Sequence, residues 1–64
     1  MDSNTASSLM DQLKNNEIKE CYITKEDFLP FREVLVKRPD FKHFRGIGQR
    51  GGAVLYQYME TPRS

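Results

Sequence analysis

Apolar and polar positions alternate along this chain in two periods, helical and extended. In residues 6–15, Leu9, Met10 and Leu13 fall on one stripe at i, i+1 and i+4, which predicts a short helix. Thr5 or Ser7 stands ready to cap it, and Asn15-Asn16 marks its end or the turn after it. Residues 18–24 (IKECYIT) read as a strand, with Ile18, Glu20 and Tyr22 on one side and Lys19, Cys21 and Ile23 on the other. Thr24-Lys25-Glu26-Asp27 is then a capping box, its hydroxyl accepting from a backbone N–H and its acids complementing the helix dipole. Phe28, Phe31 and Leu35 repeat at i, i+3 and i+7, with Leu29, Val34 and Val36 widening the stripe. Lys37 and Arg38 suit the last turn, and Pro39 ends the helix.

Pro30 interrupts that pattern. An interior proline costs about 3 kcal/mol, whereas a proline in the first turn is welcome. Either the helix runs through it, or residues 24–29 form one turn and a second helix opens at Pro30 and runs to about Arg38. Residues 41–49 and 53–60 read as two further strands. The second places Val54, Tyr56 and Tyr58 on one face and Ala53, Leu55, Gln57 and Met59 on the other. Arg50-Gly51-Gly52 between them is hairpin chemistry. The expected fold is therefore α+β, a small single domain of order helix, strand, helix (or two helices), β-hairpin. It has a flexible start at 1–5, one compact domain at 6–60 and a flexible tail at 61–64. The expected core is Ile23, Phe28, Phe31, Leu35, Val54 and Tyr56, with Cys21 a small buried residue and Tyr22 and Tyr58 at the core edge or on a partner surface.

Composition narrows what such a fold can do. At 64 residues and 7.5 kDa, a chain buries only about 60% of its unfolded surface. That leaves little core to spare for an internal pocket, so neither catalysis nor a small-molecule substrate is expected. With one cysteine and one histidine there is no internal disulfide and no four-ligand zinc site. No cofactor or metal is expected. The N-terminus lacks the basic and apolar regions of a signal peptide and no stretch is long enough to span a membrane. A cytoplasmic location without membrane contact is the expectation. His43 has no serine or cysteine close in sequence to pair with, so no catalytic constellation is visible.

Net charge is only +1, but it is unevenly placed. Residues 1–35 carry seven acids and four bases; residues 36–64 carry six bases and two acids. Lys37, Arg38, Lys42, Arg45 and Arg50 fall within fourteen residues, beside His43. This split marks either a side that faces a polyanion or a solvated face balanced by the acidic half. The glycines fall together as Gly46-Ile47-Gly48-Gln49-Arg50-Gly51-Gly52. The letters match G-x-G-x-x-G, yet a strand follows where a dinucleotide site needs a helix, so a glycine-rich hairpin is the better reading.

FREVLVKRPDFKHFRG followed by AVLYQYM resembles the end of the winged-helix DNA-binding domain of Rok-type nucleoid repressors. The resemblance extends over residues 23–59 and implies a winged-helix-like fold whose glycine-rich hairpin is the wing. It implies a role in transcription regulation through AT-rich or weakly specific DNA. Arg45 matches the arginine at the strand-to-wing turn, and Gln49 and Arg50 lie at the wing tip. Arg32, Lys37 and Arg38 belong to the helix and its basic end, and Lys42 and His43 to the base of the hairpin. The alternative architecture is a βαββ unit with an N-terminal helix. The alternative function is protein interaction, as a regulator, inhibitor or homodimer. There Phe41, Phe44, Tyr58 and Met59, with Tyr56, exceed what one small core covers and form a docking patch.

Overall fold

Asp2, not Thr5 or Ser7, starts the first helix. In a computed structural model that describes residues 1–62, the Asp2 carboxylate accepts the Thr5 N–H at 2.7 Å. That bond holds the carboxyl below its ordinary range. Helix α1 (Ser3–Lys14) therefore begins earlier than its apolar stripe, and residues 3–5 are helical. It buries Ala6, Met10 and Leu13, while Leu9 is half-buried. Asn16 follows at φ 60°, a left-handed conformation that asparagine tolerates, and turns the chain back.

Strand β1 (Cys21–Ile23) is shorter than the alternation of 18–24. Its polarity is as expected, with Cys21 and Ile23 buried and Tyr22 outside. Helix α2 (Lys25–Leu35) starts at Thr24. The Thr24 hydroxyl does not accept a backbone N–H; it donates to the Asp27 carboxylate at 3.4 Å. The helix continues through Pro30, so the second helix considered for residues 30–38 is not formed. Pro30 withholds a hydrogen bond only from the carbonyl of Glu26, an exposed residue in the first turn. After Leu35 the chain tightens through Lys37 N–H to Val34 O and Arg38 N–H to Leu35 O.

A single 3₁₀ turn (Phe41–His43) leads into β2 (Phe44–Gly48), and a second turn (Arg50–Gly52) joins it to β3 (Val54–Tyr58). Gly51 and Gly52 take φ of 74° and 84°, conformations that side chains resist. The glycine-rich stretch is thus a hairpin, as its chemistry indicated. The sheet is antiparallel in the order β1-β3-β2. Cys21 pairs with Tyr56 and Ile23 with Val54; Phe44 pairs with Tyr58 and Gly48 with Val54.

The core forms on one face of this sheet. Ala6, Met10, Leu13, Cys21, Ile23, Phe31, Leu35, Phe44 and Tyr56 make one cluster, with the Phe31 and Tyr56 rings 4.7 Å apart. Phe28 and Val54, expected in the core, are half-buried at its margin. Leu29 and Val36 are exposed at 64% and 51%, not part of the buried stripe. On the opposite face Tyr22, Leu55 and Ile47 align in one cross-strand row, and Tyr22 is 59% exposed. Residues 63–64 of the expected tail lie outside the described residues.

Candidate functional site: a groove between α2 and β2

Strand β2 turns Phe44, Gly46 and Gly48 toward the helices, because alternate residues share a face. Phe44 fills its place in the core. The place of a Gly46 side chain is taken by Val54 and the Tyr56 ring, that of Gly48 is empty, and an open groove of about 400 Å³ lies between this part of β2 and helix α2. Val54 and Tyr56 line it from β3; Phe28, Arg32, Leu35 and Val36 line it from α2, and Phe41 lies toward the start of β2. The sequence left no room for an enclosed pocket; the space found here is a surface groove.

The two glycines differ in cause. A Cβ on Gly46 would lie 3.1 Å from Val54 Cγ1 and 3.3 Å from Tyr56 Cε1, so the close approach of the Tyr56 ring requires glycine. A Cβ on Gly48 would meet nothing within 4 Å, and its φ is not positive. Neither crowding nor backbone conformation accounts for glycine at position 48. Its consequence is an open groove.

β2 is also an edge strand. Met59 N–H donates to His43 O at 2.7 Å and Gln49 N–H to Ala53 O at 2.8 Å. With this register the odd positions of β2 bond to β3, and the even positions turn their backbone groups to the free edge. Phe44 N–H is taken by Phe41 O. The free edge is therefore built from Gly46 and Gly48, the residues that also open the groove.

Arg32 is the one charged residue of the lining, and it makes no salt bridge among the described residues. It continues an exposed stripe of α2, Lys25, Leu29, Arg32 and Val36, at helical spacing. The Lys25 stem lies over Gly52 at the hairpin tip. This stripe was legible in the sequence; its apolar members suggested burial because they adjoin the true core positions.

The basic residues singled out from the sequence do not form one surface. Lys37, Lys42, Arg45, Gln49 and Arg50 are exposed. Arg45 pairs with Gln57 on the face opposite Arg32, and Gln49 and Arg50 sit at the hairpin tip. Arg38 is drawn into the fold. Its guanidinium lies 3.0 Å from Asp11 and 2.9 Å from Asp40, and 5.7 Å from the Phe44 ring centroid. The hydrogen bond from Arg38 holds the Asp40 carboxyl below its ordinary value and raises the guanidinium's own. His43 is likewise engaged: Nδ1–H donates to the Met59 carbonyl at 2.7 Å, and the ring stacks on Tyr58. Among the aromatic docking candidates, Phe44 is buried, edge-on to Tyr58. Phe41, Tyr58 and Met59 are half-buried, so no exposed aromatic patch forms on the hairpin.

Cys21 is buried, which pushes its thiol pKa up and away from reactivity. Among the described residues no three His, Cys, Asp or Glu side chains gather as a metal site, and no helix is long and apolar enough to cross a membrane.

Residues 3–57, from the start of α1 to the penultimate residue of β3, match the family model described as YkzS-like protein. No curated protein and no solved structure matches the chain significantly.

Proposed function

We propose that this chain, which belongs to the YkzS-like family, is a non-catalytic recognition module that docks on a protein partner in the cytoplasm through the groove between α2 and β2. The observation that carries the reading is Gly48, a glycine with room for a side chain and no backbone need for glycine. In a chain with so little core, a groove that leaves Phe28, Val36 and Val54 facing water between a helix and an edge strand is costly, and partner binding would recover that burial. Exposed Leu29 and Val36 extend the same side of α2. Buried Cys21 and the committed His43 favour binding over catalysis. The test is pull-down with the wild-type chain beside Gly48→Val, which fills the groove. A partner held by the first and lost by the second supports the reading. Equal retention by both refutes it.

A second reading keeps the wing-like hairpin. The side chains of Lys42, Arg45 and Arg50 are exposed, with no hydrogen bond or ion pair among the described residues; Lys42 lies in the turn before β2, Arg45 on it and Arg50 in the turn after it, beside Gln49. Such a hairpin suits a DNA backbone or a narrow AT-rich minor groove. The single central helix and the net charge of +1 weigh against it. Anisotropy with AT-rich duplex across a salt series decides the matter, since each neutralised phosphate adds about 0.9 to the log–log slope.

A further inference from the structure

We infer that the groove takes an extended peptide segment of a partner protein, added as a fourth strand on the free edge of β2. Its recognition pattern is two large apolar residues two positions apart, then an Asp or Glu at the next position of the same face. This rests on the groove reading above and names its occupant.

Three observations converge on this occupant. The groove and the unpaired edge are made by the same residues. Gly46 and Gly48 present N–H and C=O outward in the sheet plane; the inner face of Gly48 is bare, and that of Gly46 is floored by Val54 and the Tyr56 ring. A strand laid on that edge pairs with Gly46 and Gly48, and its residues opposite them turn their side chains toward α2. Those positions are two apart, which sets the spacing of the apolar pair. The lining they meet is Phe28, Leu35, Val36, Val54 and the Tyr56 ring.

Charge then selects the third position. Among the described residues Arg32 is the one charged member of the lining, no carboxylate lines the groove, and Arg32 has no salt bridge. A buried guanidinium left unmatched under a ligand is costly, and a carboxylate answers it with charge-assisted hydrogen bonds. The edge itself carries none of the usual guards against strand addition: β2 has no proline and no lysine, and its lone charge, Arg45, points to the other face. Main-chain pairing for affinity with alternate side-chain pockets for specificity is an established mode of peptide capture.

The experiment pans a phage library of random linear octapeptides against the full chain, with counter-selection on Gly48→Val. One enriched peptide is then synthesised with three relatives: its acid changed to the amide, the residue opposite Gly46 N-methylated, and both changes together. The expected sequences carry apolar–x–apolar–x–Asp/Glu. Gly48→Val and N-methylation each weaken binding by about tenfold or more. Arg32→Gln weakens the acidic peptide by about tenfold and leaves the amide peptide unchanged. On saturation, hydrogen exchange slows at the Gly46 and Gly48 amides. Enriched peptides that bind Gly48→Val equally, or no enrichment at all, overturn both the inference and the groove reading. Peptides that need Gly48 but tolerate N-methylation and leave those amides unprotected overturn strand addition alone. Circular dichroism spectra and urea unfolding curves of Arg32→Gln and Gly48→Val confirm that each variant compared is folded.

Discussion

The two halves of the sheet's inner face are built on opposite plans. Over β1, Cys21 and Ile23 join Ala6, Met10, Leu13 and Phe31 in one buried cluster. Over β2, Phe44 is the only side chain of the strand that reaches inward; Gly46 and Gly48 leave the rest to the groove. The same helix, α2, serves both halves, with Phe31 toward the packed side, Arg32 and Val36 toward the open one, and Leu35 shared between core and groove. Within the open half the contrast singles out Gly48, which neither packing nor backbone conformation requires to be glycine.

That contrast is open to attack by substitution. On the packed side, Phe31→Ala is expected to cost about 3–5 kcal/mol, comparable to the whole stability of so small a domain, so cooperative urea unfolding followed by circular dichroism should be lost. Gly46→Ala forces the new methyl against Val54 and Tyr56 and should cost about 1–3 kcal/mol, read as a lower urea midpoint. Arg38→Met removes the ion pairs to Asp11 and Asp40, which tie α1 to the turn after α2. These are partly solvated, so the expected loss is only about 1 kcal/mol.

The same pair makes an acid-side prediction. Asp40 has its folded-state pKa lowered, first by the Arg38 hydrogen bond. The unfolded state therefore binds the proton more readily, and stability is present above the ordinary carboxylate value of 3.8 and lost as pH falls through it and below. Asp40→Asn should flatten that acid limb in unfolding curves taken down the pH scale, and an unchanged limb would place the dependence elsewhere. The smallest stability effect is expected at the open side: Gly48→Val, with room for its side chain and a better strand former, should lie within about 1 kcal/mol of the parent and on the stable side.

Element order was legible because each element carries a local signal: the Phe28/Phe31/Leu35 stripe, the Gly51-Gly52 turn and the alternation of β3. What the sequence hid was pairing in space. Asp2 rather than Thr5 caps α1 because its carboxylate reaches the Thr5 amide. Pro30 remains inside α2 because the carbonyl it abandons belongs to an exposed residue of the first turn. Arg38 and His43 looked like free basic groups; Asp40 lies only two residues from Arg38, but Asp11 and Met59 lie far along the chain, and no linear pattern announces those contacts. The groove was missed for the converse reason. Gly46 and Gly48 read as part of a flexible hairpin, and only the register of β2 on β3 shows that both face α2.

The central claim is that glycine at position 48 serves binding and not folding. Its most direct measure is the affinity of Gly48→Val for a groove-selected peptide, taken on protein whose unfolding curve has been recorded. The account expects parental or greater stability together with an affinity about tenfold or more below the parent. Parental affinity in a folded Gly48→Val protein would contradict it.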